Sequence, residues 1–217
     1  MKLPDFSFEK KLWRKGYRVV AGVDEVGRGA FAGPVVAAAV AFAPNSKQQT
    51  LNSKIKINDS KQLNSKRRER AYFWIRKNAL CYGIGKASVA QINKFGIKKA
   101  TEIAFRKAIK SASIRVSGIQ YLLIDAFYIP YVRGLRRKNQ LAIINGDEKS
   151  VSIAAASIIA KVYRDKLMRV LSRGNKKYHW DKNKGYGTKK HQKAIKKYGA
   201  TRLHRNLFIR NFVSSQV

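Results

Sequence analysis

Short apolar runs that stop at carboxylates set the terms for this chain. "YRVVAGV" (17–23) runs into Asp24 and Glu25, "YLLI" (121–124) into Asp125, and "LAIING" (141–146) into Asp147. Each run is short, rich in aliphatic and β-branched residues, and bounded by turn formers, which is the pattern of a buried strand. "PVVAAAVAFA" (34–43) and "CYGIGKASV" (81–89) read as two further strands. The first of these is expected to pair antiparallel with 17–23 across the turn that holds Gly27 and Gly29. Helical patterns lie between and beyond: 65–79 with Ser65 as its N-cap, 97–112 with Ala100, Ile103, Ala104 and Ala108 on one face, and 150–172. The polar segment 45–62 reads as a loop, and no internal repeat is present. Alternating strands and helices after residue 80 predict an α/β fold with a partly parallel sheet.

Carboxylates are scarce here, with 12 Asp+Glu against 47 Lys+Arg and a formal net charge of +35. Such an excess calls for a polyanionic partner, and nucleic acid fits because the cations are spread along the chain rather than gathered on one amphipathic helix. Most of the acids have ordinary roles in prospect. Glu69 and Glu102 sit in basic helical stretches as partners for Lys or Arg, and Asp5, Glu9 and Asp181 lie in polar surroundings. Asp165 stands four residues from both Lys161 and Arg169, the spacing of a helix-surface ion pair. Asp24, Glu25, Asp125 and Asp147 differ, because a carboxylate at the end of a buried strand is costly unless compensated. If the three strands are neighbours, the four acids converge and repel, and a cation must neutralise them. All-oxygen ligands without Cys or His suit Mg²⁺ or Mn²⁺. Two such ions roughly 4 Å apart can hold the attacking and leaving oxygens of a phosphodiester in line.

Seven segments, in order, strengthen this reading: "GYRVVAGVDEVGRG", "AGPVVAAAV", "INDSKQL", "IDAF", "GDEKSVSIAAASIIAKVYRD", "NKGYGTKKH" and "YGATRLHRNLF". Together they resemble the motifs of bacterial ribonuclease HII over nearly the whole chain. The resemblance implies a ribonuclease H-like α/β fold, a mixed β-sheet flanked by helices, with a C-terminal helical extension. The expected organisation is a single domain, with a catalytic core at about 17–173 and a basic extension at about 174–217. It also implies a metal-dependent endonuclease that cleaves RNA in RNA–DNA hybrids and at single ribonucleotides in duplex DNA, leaving a 3′-hydroxyl and a 5′-phosphate. The family's metal carboxylates fall on Asp24, Glu25, Asp125 and Asp147, the same four the distribution of acids isolates. Its glycine-arginine-glycine turn, whose backbone meets the ribose 2′-hydroxyl, falls on Gly27, Arg28 and Gly29. Its sugar-packing tyrosine falls on Tyr186. Its phosphate-contacting loop makes Ser60 and Lys61 candidates, and Lys161 is expected near the metals unless it serves only to pair with Asp165. Three neighbouring positions depart from the family pattern: Ala126 replaces a frequent glycine, Asn145 a frequent lysine, and Glu148 a frequent small residue.

Two rival readings share these features. A non-catalytic nucleic-acid binder would keep the charge but gain nothing from a self-repelling acidic cluster. A DNA-processing nuclease of the same fold, such as a resolvase, would have no use for the glycine-arginine-glycine turn and Tyr186. Tyr178, Trp180, Tyr186, Tyr198 and Phe208 interleave with cations in the extension, and for most of them inward packing is the expectation. The single Cys81 forms no internal disulfide, and with His179, His191 and His204 it gives no zinc spacing. No apolar run is long enough to span a bilayer, so a cytoplasmic, membrane-free monomer acting on nucleic acid is expected.

Overall fold

The computed structural model describes residues 3–44 and 57–213. Of the loop expected at 45–62, residues 45–56 lie outside that description. Five strands form one sheet in the order β3-β2-β1-β4-β5. They are β1 (Val20–Val26), β2 (Val35–Ala41), β3 (Cys81–Ala87), β4 (Tyr121–Asp125) and β5 (Gln140–Ile143). β1 with β2 and β2 with β3 pair antiparallel, whereas β1 with β4 and β4 with β5 pair parallel. The β1-to-β4 crossover runs through β2, β3 and the helices between them, whereas β4 and β5 are joined by residues 126–139, whose one helical piece is the 3₁₀ turn Arg137–Asn139.

Helices cover both faces. α3 (Val89–Ser113) lays Ala100, Ala104, Phe105 and Ala108 on one face against Ala21, Val23, Leu122 and Ile124. α2 (Ser65–Asn78) and α4 (Val151–Arg173) cover the other, where Ile75, Ala155 and Ile159 meet Val36, Ala38 and Val40. Each large aliphatic side chain fully buried this way contributes about 1.5–3 kcal/mol. α4 is itself buried along most of its length, and its small residues let it lie close on the sheet. At Gly22 the approach is closest: a Cβ there would stand 2.1 Å from the Ser152 carbonyl carbon. α2, α3 and α4 begin at side-chain caps, with Ser88 and Gln91 forming a reciprocal capping box and Ser150 accepting from the Ile153 amide.

The C-terminal segment forms α5 (Trp180–Asn183), α6 (Lys189–Tyr198) and α7 (Asn206–Val213). Tyr178 and Trp180 are fully buried and stack with centroids 5.3 Å apart, against Met168 of α4 and Ala32 of the β1–β2 turn. Inward packing therefore holds for these two aromatics, while Tyr198 is exposed and Tyr186 half-buried. No described helix is long and apolar enough to cross a membrane.

Several expectations need correction. β1 starts and ends three residues later than the apolar run, so Asp24 and Glu25 lie inside the strand, because β2 keeps pairing with them out to Val26. β5 stops at Ile143, and Asp147 sits on a separate 3₁₀ turn, Gly146–Glu148, which Asn145 introduces at φ +53°. α3 begins eight residues before the periodic stretch at 97 and is broken at Gly96, φ +76°. The N-cap of α2 is Asn64 rather than Ser65. A helix not foreseen, α1 (Ser7–Arg14), carries Glu9, which is fully buried rather than in polar surroundings. Glu9 Oε1 accepts from the Ser150 hydroxyl at 2.7 Å and the Ser152 amide at 2.9 Å, so its carboxyl group meets the start of α4, and burial raises its pKa.

Candidate active site

The parallel pairing of β1 and β4 puts two of the four singled-out acids together. Val23 lies opposite Ile124, so Asp24 and Asp125 follow side by side at the C-terminal ends of neighbouring strands. Side chains alternate along a strand. Gly22 faces α4, and Leu123 packs with Ile153 of α4, so Asp24 and Asp125, two residues on, face α4 as well. Asp147 arrives from the turn just before α4, and the Gly146 amide donates to Asp125 Oδ1 at 2.8 Å, fastening that turn to β4. Glu25 takes the opposite side of β1, where Arg28 Nη1 stands 3.4 Å from its Oε1.

Burial and mutual repulsion strain this cluster. Asp24 is held well above the usual carboxylate range, first by burial and then by Glu25 and Asp125, against hydrogen bonds from the Ser157 hydroxyl and the Glu25 amide. Glu25 is raised by burial and by Asp125, with Arg28 opposing. Asp147 is pushed up to about 6 by burial, then by Asp59 and Asp125, with Lys61 opposing at 3.7 Å. Lys61 itself is pulled down by burial, yet the surrounding Asp59, Asp147, Asp24 and Asp125 push it up overall. Among the described residues, no three His, Cys, Asp or Glu side chains converge tightly enough to grip an ion as they stand. Unneutralised carboxylates repel, and here a backbone amide, Arg28 and Lys61 occupy or flank their oxygens. The donor set is nevertheless all oxygen and strongly self-repelling, which is the chemistry of a hard divalent cation site.

The other candidates fall around this cluster in different ways. Gly27 has φ +87°, and a Cβ on it would meet Arg164 Nε at 2.1 Å, so the turn needs glycine on both counts. Gly29 has open space around it, and Arg28 lies over the Phe127 ring at 5.2 Å. The Ser60 hydroxyl is buried and bonds Ser157 Oγ at 2.8 Å, so it supports the hydroxyl that donates to Asp24. Lys61 is exposed beside Asp147. Lys161 is paired with Asp165 at 2.9 Å, and Arg68 approaches the same carboxylate at 3.9 Å. The pair is part-buried rather than on the helix surface, since Asp165 is 8% exposed and Lys161 is half-buried. Tyr186 stands on the loop before α6, with the Arg164 guanidinium 5.4 Å from its ring.

Two participants escaped the sequence reading. Asp59 follows no apolar run, so the strand-end criterion passes over it, yet it is buried beside Asp147. Ser157 had a usable signal, a lone hydroxyl inside the apolar stretch "AAASIIA".

The mixed five-stranded sheet flanked by helices is a ribonuclease H-like fold, and it sets Asp24 and Asp125 on its neighbouring parallel strands. The structure agrees with ribonuclease H2 of Pyrococcus horikoshii OT3 at a TM-score of 0.71 and 23% identity, over 90% of this chain and 97% of that one, a likeness of fold. The ribonuclease HII family profile matches residues 21–211. The chain is 44% identical to ribonuclease HII of Caldanaerobacter subterraneus subsp. tengcongensis, over 93% of this chain and 78% of that one. It is likewise 44% identical to ribonuclease HII of the Wolbachia pipientis of Culex pipiens, over 96% and 97%. The chain belongs to the ribonuclease HII family and is an endonuclease, a hydrolase of RNA in RNA–DNA hybrids.

Proposed function

We propose that this nuclease also cuts duplex DNA at single embedded ribonucleotides, leaving a 3′-hydroxyl and a 5′-phosphate, at a site built on Asp24, Glu25, Asp125 and Asp147. The observation that carries the assignment is the β1–β4 register, which sets Asp24 and Asp125 side by side facing α4. Those four carboxylates would hold Mg²⁺ or Mn²⁺. When bound, the cation supplies activation of water and stabilisation of the leaving 3′-oxygen, so no protein nucleophile is needed.

The chain's own groups do the rest. The Ser60–Ser157 pair orients Asp24, and the Gly146 amide orients Asp125. Lys61, exposed and paired with Asp147, meets a phosphate there. The backbone of Gly27, Arg28 and Gly29, with open space at Gly29, reads the 2′-hydroxyl, which separates RNA from DNA at one position. Tyr186 packs on the neighbouring sugar and sets the scissile phosphate. Lys161, tied to Asp165, shapes the field from α4.

Asp24→Asn and Asp125→Asn test the assignment. Either variant should lose cleavage of a duplex with one ribonucleotide while binding it nearly as well, because Lys and Arg supply most of the affinity. Near-normal turnover by either under saturating Mn²⁺ would refute it. Tyr186→Ala should keep its melting temperature and lose on the order of a hundredfold in rate on the same duplex, the scale of a 1 Å misplacement. A variant that cuts like wild type, or that unfolds, makes Tyr186 a packing residue.

A further inference from the structure

Two guanidiniums, those of Arg164 and Arg205, lie wholly inside the protein. Burying a cation is expensive, and these two sit close enough that Arg164 adds to the burial that lowers Arg205 to about 9. Their hydrogen bonds run to backbone carbonyls in segments far apart in sequence. Arg164, on α4, donates from Nε to Pro34 O at 3.1 Å, from Nη2 to Ala32 O at 3.2 Å, and from Nη1 to Lys184 O at 2.9 Å. Arg205, just before α7, donates from Nε to Gly33 O at 2.9 Å and from Nη1 to Arg28 O at 2.7 Å. Arg164 also lies directly beneath Gly27 and over the Tyr186 ring. Every segment they hold belongs either to the turn that follows Glu25 or to the loop that carries Tyr186.

We infer that Arg164 and Arg205 are positioning residues for ribose reading, a paired clamp in which Arg164 ties the Arg28–Pro34 turn to the Lys184–Tyr186 loop and Arg205 pins the same turn to the start of α7. The inference rests on the proposed reading of the glycine-arginine-glycine turn and Tyr186. The planar fork of arginine reaches two or three carbonyls at once, whereas a lysine ammonium on the same stem cannot span them. Among the described residues, Arg205 Nη2 is buried without a hydrogen-bond partner.

Arg164→Lys and Arg205→Lys keep the charge and remove the fork. Each should lower kcat on a DNA duplex with one ribonucleotide by tenfold or more, on the order of the cost of a sub-ångström misplacement, with KM little changed. Loss on an all-RNA strand in a hybrid should be smaller, since neighbouring 2′-hydroxyls there can take up a shifted register. Equal losses on the two substrates, or none, overturn the clamp. Tyr186→Ala measured alongside separates the two ideas: if it too leaves the single-ribonucleotide rate intact, the underlying site reading has failed. If Tyr186→Ala is impaired and both lysine variants are not, only the clamp has failed. A measurement on wild type covers variants that do not fold. In metal-free buffer the Nε–H resonances of Arg164 and Arg205 should shift on adding the single-ribonucleotide duplex and not on adding its all-DNA counterpart. Identical spectra with the two duplexes overturn the inference.

Discussion

Ala126 sits directly after Asp125 with φ +63°, a left-handed conformation that costs a residue with a Cβ roughly 1–2 kcal/mol. Its amide donates to Ile143 O at 3.0 Å, so β5 holds it there and the strain is spent on turning the chain away from the third carboxylate. Ala126→Gly should relieve the strain and, after the entropy cost of glycine, stabilise by about 0.5–1 kcal/mol in urea melts; a loss of stability would mean the methyl is packed rather than tolerated. Asp147 stores strain of an electrostatic kind. Its folded-state pKa of about 6 lies above its unfolded value of 3.8, so its contribution to stability is complete below about pH 4 and is lost as the pH rises through about 6. Asp147→Asn, neutral throughout, should therefore melt with wild type near pH 4 and above it near pH 8 in metal-free buffer, and Mn²⁺ should erase the gap by stabilising wild type alone. Equal melting at both pH values would show that Asp147 bears no such strain. The sequence exposed this acid because an apolar run precedes it, but it could not expose Asp59 beside it, whose burial depends on tertiary contacts.

At the scale of elements, the β1–α4 contact couples the fold to the site. α4 can approach β1 closely because Gly22 has no side chain, and α4 in turn brings the Ser157 hydroxyl to Asp24, two residues further along the same strand. Gly22→Ala should cost about 1–3 kcal/mol through overpacking. It should also reduce cleavage in the molecules that remain folded, because the displaced helix withdraws Ser157. A variant with lowered Tm and wild-type kcat would show that the helix and the site move independently. The five strands and the three long helices were legible from apolar runs and helical period, since both follow from burying one face. The ends were not: β1 continues through Asp24, Glu25 and Val26 because β2 supplies pairing partners, and pairing is not written in local hydrophobicity. α1 escaped for a similar reason. It is only eight residues long, and although Phe8 and Leu12 stand one turn apart on it, the packing that buries them and the acid Glu9 between them is tertiary.

At the scale of the whole molecule, a nuclease with four acids at its centre must draw a polyanion towards them. On the proposed reading, the formal charge of +35 would do this from outside, and Lys61 and Arg28, which flank Asp147 and Glu25, would do it at the rim of the acidic cluster. The aromatics of the extension do little of it, because Tyr178 and Trp180 are spent on packing that segment against α4. Affinity should therefore come mainly from phosphate contacts and counterion release, and specificity from the few groups that touch the sugar. This separation has a measurable form. In metal-free buffer, where the duplex is bound but not cut, affinity should fall steeply between about 50 and 200 mM salt, by about 10³-fold if six or more phosphates are neutralised. The slope of log affinity against log salt should be the same for a duplex with one ribonucleotide and for its all-DNA counterpart, since both present the same phosphates. A flat salt dependence would mean that the charge is not used for binding, and a steeper slope for the ribonucleotide duplex would mean that sugar recognition recruits further cations.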